Sequence, residues 1–216
     1  MNASPRLPGE LLLATTNSAK AERLRWVFAG LGLRLRELPP DAGGGPDESG
    51  ASFRENAELK ACFWSQRFGG LVAASDGGMA IPDLGDRWNA LRTARAAGPH
   101  AGDAERARHL LALAADLVGE QRAVFWSEGL ALAENGRLLA SWQADGTRAL
   151  LVERCEPEDL KPGFWAASLC YLPSHGTTLA RVPDDELRRL DRTWARLREL
   201  VRAYFGSGQP DANRSG

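Results

Sequence analysis

Only three of the 27 basic residues in this 216-residue chain are lysines, at positions 20, 60 and 161, and two of these fall where chemistry can be done. Lys20 belongs to LLLATTNSAKAERL (11–24), an apolar run, a turn of small polar residues, then a helical pattern. Such a turn presents unpaired backbone N–H groups and the positive end of the helix dipole, which suits a phosphate. Thr15 and Thr16 add hydroxyls, Asn17 an amide, and Lys20 a cation one turn into the helix. The plainer reading is that Asn17 or Ser18 caps the helix while Lys20 sits in solvent. The Gly-x4-Gly-Lys pattern of a P-loop is missing.

Lys60 raises a sharper question. In a helix over 52–68, Phe53, Ala57, Ala61, Trp64 and Phe68 share one face, and Lys60 lies within it. An ammonium there needs either a snorkelling route to water or an anionic partner, a phosphate or a carboxylate at a cleft wall. Acids are near in sequence. Asp47 and Glu48 precede the helix, and Asp76 sits where the apolar LVAASDGGMAI (71–81) meets two glycines. A carboxylate at a strand end beside flexible backbone can hold Mg²⁺ while a phosphate approaches; it also fits an ordinary Asp-Gly turn. Glu55 reads as a solvated helix residue. His100, His109 and His175 have no metal-ligand spacing, and nothing local supports a cysteine nucleophile.

These groups must be carried by strands and helices in alternation. The pattern predicts a strand over 10–16, a helix over 18–31 and a strand over 33–38, the β-α-β opening of an α/β fold. After a Gly- and Pro-rich loop (39–52) come the 52–68 helix and a strand interrupted at Ser75-Asp76-Gly77-Gly78. A helix over 103–118 is capped by Asp103, and strands over 122–152 turn at Glu134-Asn135-Gly136. Residues 156–182 read as irregular, and a last helix places Leu187, Leu190, Trp194, Leu197, Val201 and Tyr204 at steps of three and four. The expected organisation is an extension (1–9), one domain (10–205) and a disordered tail (206–216). A formal charge of -1 asks for neither nucleic acid nor an anionic membrane as partner, and no apolar run approaches a membrane span. Three scattered cysteines without CxxC spacing suggest a reduced, cytoplasmic protein.

In order along the chain, the motifs resemble those of the inosine/xanthosine triphosphate pyrophosphatases. LLLATTNSAKAERL is similar to their ATxNxxKxxE, DESGASFRENAELKA (47–61) to their second signature through Glu48, Phe53, Glu55, Asn56 and Lys60, and VAASDGGMAIPDLG to their third. The resemblance implies an elongated mixed β-sheet flanked by helices, two lobes with a cleft between them, and a homodimer. It implies Mg²⁺-dependent hydrolysis of a nucleoside triphosphate to the monophosphate and pyrophosphate. Carried over by position, Asp76 is the catalytic residue that activates water, and Glu48 and Asp76 hold Mg²⁺. Thr15, Thr16, Asn17, Lys20, Lys60, Gly77, Phe164 and Arg192 bind phosphates and substrate.

The departures are local. Ser75 stands for the first of the family's paired acids and Gly77 for its serine. Ala166 and Ala167 replace an aromatic residue and the aspartate that reads the base, the following lysine has no counterpart, and Arg192-Thr193 occupy the positions of base and phosphate contacts. A site stripped of its polar readers loses discrimination steeply, so altered or relaxed base specificity is expected. Two other readings fit the same residues: a catalytically silent nucleotide-binding homologue, and a phosphatase acting on a smaller phosphorylated metabolite.

Overall fold

The computed structural model describes residues 9–98, 100–183, 185–186, 190 and 192–206. Seven strands form one mixed sheet in the order β2-β1-β3-β4-β5-β6-β7. β1 (Glu10–Leu13) lies parallel to both β2 (Arg34–Glu37) and β3 (Leu71–Ala80). The remaining pairings, through β4 (Ala123–Glu134), β5 (Arg137–Leu151), β6 (Cys170–Leu172) and β7 (Thr177–Thr178), are antiparallel.

The helices divide between the faces. α1 (Ser18–Phe28) and α5 (Arg192–Gly206) bury Leu24, Val27, Phe28, Trp194, Leu197 and Val201 against Leu11, Leu13, Ala73, Leu130 and Leu132. α2 (Phe53–Phe68) packs Ala57, Ala61 and Trp64 against Leu12, Val72, Ala74, Ala131 and Ala133 on the other side. This is the period of two expected of a sheet covered on both faces. A third cluster makes the second lobe, where α3 (Asp103–Leu113) and the short α4 (Trp165–Ser168) close over Met79, Val124, Ala149 and Leu169. Arg122, buried in that lobe, donates to the carbonyls of Ala114, Leu117, Leu151 and Val152 at 2.6–3.0 Å, tying the end of α3 to the end of β5. A buried guanidinium with its donors satisfied in this way works as a cross-brace.

Several expectations shift. β3 is continuous through Ser75-Asp76-Gly77-Gly78, because β4 pairs with it residue by residue from Leu71 to Ala80. The third helix is capped by Gly102, and Asp103 is its first residue, with a carboxylate that accepts from Gly163 N at 2.8 Å. The hairpin turns on Asn135 and Gly136, both at positive φ, as a two-residue type I′ turn requires. Residues 156–182 hold α4, β6, β7 and 3-10 turns. Leu187, residues 1–8 of the expected extension and residues 207–216 of the expected tail lie outside the described residues. Among those residues no helix is long and apolar enough to cross a membrane.

The connection order matters more than the strand count. β1 leads through α1 to β2 on one side, and the chain then returns through α2 to β3 on the other. β1 ends beside Ala73, while β3 runs on seven residues further. That leaves a crevice beyond the carboxyl end of β1, at the point where the winding reverses, the usual ligand position in open α/β sheets. Gly129 of β4 sits directly across from Asp76, and a Cβ there would lie 2.5 Å from the backbone of Phe53 and Arg54. Its missing side chain lets the first turn of α2 close onto the sheet. Gly129→Ala is expected to push α2 outward and to lower the unfolding free energy by about 1–3 kcal/mol, measured by urea titration. A parent-like midpoint would show that α2 does not depend on this contact.

Candidate functional site

The turn after β1 holds the helix cap of its plainer reading. Asn17 caps α1, its Oδ1 accepting from Lys20 N at 3.1 Å, and Thr15 Oγ1 accepts from Asn17 N at 3.2 Å. Yet Lys20 does not sit in solvent. Its Nζ lies 2.9 Å from Glu128 Oε1 on β4. The turn is therefore a rigid, capped helix start with a fixed cation beside it.

The α2 side is more tightly built. Ser52 caps the helix by accepting from Glu55 N at 3.1 Å, and Glu55 reaches back to Ala51 N at 2.7 Å, close to a capping box. Glu55 thus serves the helix start. Asn56, fully buried, accepts from Gly50 N at 2.8 Å and donates Nδ2 to Asp76 Oδ2 at 3.1 Å. One turn on, Lys60 Nζ meets Asp76 Oδ1 and Glu48 Oε1, each at 2.6 Å. The anionic partner that Lys60 needed is a pair of carboxylates. Burial pulls the ammonium toward neutrality, but the Asp76 charge, with hydrogen bonds to Asp76 and Glu48, outweighs it and raises the pKa above 10.5.

Both groups open onto one cleft of about 660 Å³. Thr15, Thr16, Asn17, Lys20, Lys60, Glu48, Asp76, Gly77 and Phe164 all line it. Arg192 does not: it is the first residue of α5 and is exposed, while the next two residues, Thr193 and Trp194, face the cleft. The far end is walled by Leu91, Trp126, Phe164, Trp165, Ala166 and Leu179. Ala167 is buried in the second lobe's core behind that wall. Sequence reasoning passed over Glu128 and Trp126, whose only signal is a lone acid in the apolar strand AVFWSEGLALA, followed by Gly129. The thiols take no part. Burial raises the pKa of Cys62 and Cys155 and pushes Cys170 up to about 12, and the cleft lining includes none of the three.

Among the described residues no group of three or more His, Cys, Asp or Glu side chains converges to cage a metal. Glu48 and Asp76 do converge, on one cationic nitrogen. Two carboxylates at one cation position are what Mg²⁺ uses when phosphate oxygens and water complete its shell.

An α/β protein with a two-lobed sheet and a polar cleft at its winding reversal is the class that fold and site define. The model of the Ham1 family matches residues 11–158. The chain is 33% identical over 204 residues to a dITP/XTP pyrophosphatase of Geobacillus kaustophilus, covering 87% of this chain and 95% of that one. It is 32% identical over 201 residues to a dITP/XTP pyrophosphatase of Thermus thermophilus, covering 93% and 94%. A HAM1 protein from Coxiella burnetii superposes with a TM-score of 0.76 at 24% identity, over 92% of this chain and 98% of that one. The chain belongs to the Ham1 family.

Removing Lys60 leaves Asp76 and Glu48 facing each other without their cation. Lys60→Met is therefore expected to lower the unfolding free energy by about 2 kcal/mol at pH 7 in urea titrations. A group with a raised folded-state pKa stabilises fully below its unfolded value and loses that contribution as pH rises through the folded one. The gap between parent and variant should hold from neutral pH up to 10.5 and narrow only above it. A gap that closes below that pH would contradict the ion pair.

Proposed function

We propose that this chain is a nucleoside-triphosphate pyrophosphatase, using Mg²⁺ to hydrolyse a nucleoside triphosphate to the monophosphate and pyrophosphate with altered base selectivity. One observation carries the reading. Asp76 is gripped from both sides, by Asn56 Nδ2 at 3.1 Å and Lys60 Nζ at 2.6 Å, at the wall of a cleft that also receives the start of α1. The names of the Geobacillus and Thermus relatives point the same way.

The residues divide the work by their chemistry. The phosphates dock where α1 begins, with Thr15 and Thr16 supplying hydroxyls, Asn17 keeping the helix start in shape and Lys20 adding charge. Lys60 meets the phosphates from the opposite face of the sheet. Asp76 accepts the proton of the attacking water as general base, its carboxylate oriented by Asn56. Glu48 and Asp76 would hold Mg²⁺, which neutralises charge on the phosphoryl oxygens when bound. Positioning and charge neutralisation supply most of the rate in such chemistry.

At the other end the wall is largely aromatic and aliphatic, with Phe164, Trp126, Trp165, Ala166 and Leu179, and Arg92 and Thr93 add polar groups beside Leu91. Such a wall grips a base by stacking and shape, and polar discrimination between bases weakens accordingly. The space at Gly77 is taken by the Glu128 carboxylate, and Arg192, exposed and outside the cleft lining, has no part in this scheme. The expected setting remains a cytoplasmic homodimer.

The test is pyrophosphate release with Mg²⁺ over inosine, xanthosine, modified-purine and pyrimidine triphosphates. Release from several bases at similar kcat/KM is expected. Asp76→Asn should lose at least about 100-fold in kcat while keeping its melting temperature within a few degrees. Orthophosphate as the product would replace this reading with a phosphatase. Nucleotide binding without turnover would mean a silent homologue.

A further inference from the structure

Two neighbouring rungs of the β3–β4 ladder carry the same device on opposite faces of the sheet. In one, Asp76 stands across from Gly129 and pairs with Lys60 of α2. In the next, Glu128 stands across from Gly77 and pairs with Lys20 of α1. Each rung is an acid facing a glycine, and each acid holds a lysine from the helix that covers its face. Successive residues of a strand point to opposite sides, so the one-residue offset sends the two acids apart.

Glu128 is only 6% exposed, yet it lies in a largely apolar strand at the cleft wall. Burying a carboxylate there is costly unless it is paired. Gly77 makes the space: a Cβ at that position would overlap the Glu128 carboxylate. The other polar side chain that this face of β3 offers the cleft is Ser75, uncharged, with a buried hydroxyl that has no hydrogen-bond partner among the described residues. Of the three carboxylates that line the cleft among the described residues, Glu48 and Asp76 converge on Lys60, and Glu128 pairs with Lys20.

We infer that Glu128 is a positioning residue for the reaction: through the space left by Gly77, it fixes the Lys20 ammonium beside the start of α1, where the phosphates dock. An ammonium has three N–H donors. One bond to Glu128 anchors it and leaves two for phosphate oxygens, so the long side chain is already ordered when substrate arrives. The inference rests on the proposed pyrophosphatase reading for its kinetic consequence, but the anchoring itself can be observed without turnover.

The experiment has two arms. In ¹⁵N-labelled protein the side-chain ammonium spectrum holds only three lysines, and Lys20→Met assigns the Lys20 signal. That signal is expected in the parent at neutral pH, because pairing slows its exchange. It should vanish in Glu128→Gln and in Gly77→Ala while the Lys60 signal persists as an internal control. In the kinetic arm, Glu128→Gln should lower kcat about tenfold with KM unchanged or lower, because one negative charge leaves the phosphate site. Gly77→Ala should reproduce this, and in the Lys20→Met background Glu128→Gln should cost nothing further. A Lys20 signal that is absent in the parent or survives Glu128→Gln overturns the anchoring. An undiminished kcat in Glu128→Gln, or an equal loss in the Lys20→Met background, overturns the positioning role. If the parent releases no pyrophosphate from any triphosphate, the pyrophosphatase reading fails while the ammonium spectra still decide the anchoring.

Discussion

Everything at this site depends on β3 outrunning β1. β1 stops beside Ala73, and the turn at Thr15 leads the chain away into α1. Beyond that point β3 has β4 on one side and the crevice on the other. The residues along this stretch, Ser75 to Gly78, can therefore be reached by a ligand without any strand being broken. The cost of an incomplete ladder is met by β4, which pairs with β3 to its end, so the exposed stretch stays rigid.

Both lysines of that crevice are held by carboxylates. Lys60 is held by Asp76 and Glu48, and Lys20 by Glu128. Lys60 on an apolar helix face and the carboxylates Asp76 and Glu128 on central strands are each unfavourable alone, and pairing offsets much of that cost. The same arrangement leaves the cleft ready for a ligand bringing negative charge together with a cation. Two glycines make this possible by doing opposite things. Gly129 admits a helix to the sheet, and Gly77 admits a carboxylate.

The two ends of the cleft differ in kind. Around α1 and α2 the lining is polar, with hydrogen bonds made by side chains anchored in regular elements. Around Trp126, Phe164 and Ala166 it is apolar and comes from the second lobe. Geometry is thus strict where charge sits and permissive at the apolar end. That division follows from physics: hydrogen bonds and ion pairs weaken steeply with misplacement, whereas stacking tolerates it.

By itself the sequence located the helices α1 and α2 and the β4–β5 hairpin, and it picked out residues that prove to line the cleft, Lys60 and Asp76 among them. Periodicity located α1, α2 and the hairpin, whose Asn135-Gly136 turn is a local property of those two residues. Lys60 could be singled out because an ammonium among Phe53, Ala57, Ala61 and Trp64 conflicts with its own helix face. Asp103 was misjudged because an acid before a helix can cap it or open it, and Gly163, distant in sequence, decides which. Glu128 was illegible for a deeper reason. Its partner Lys20 is 108 residues away, and the space it occupies belongs to Gly77, a residue that by sequence reads only as a break in a strand. Whether that segment breaks or continues is a question of pairing, and only β4, laid beside it by the tertiary structure, supplies the answer.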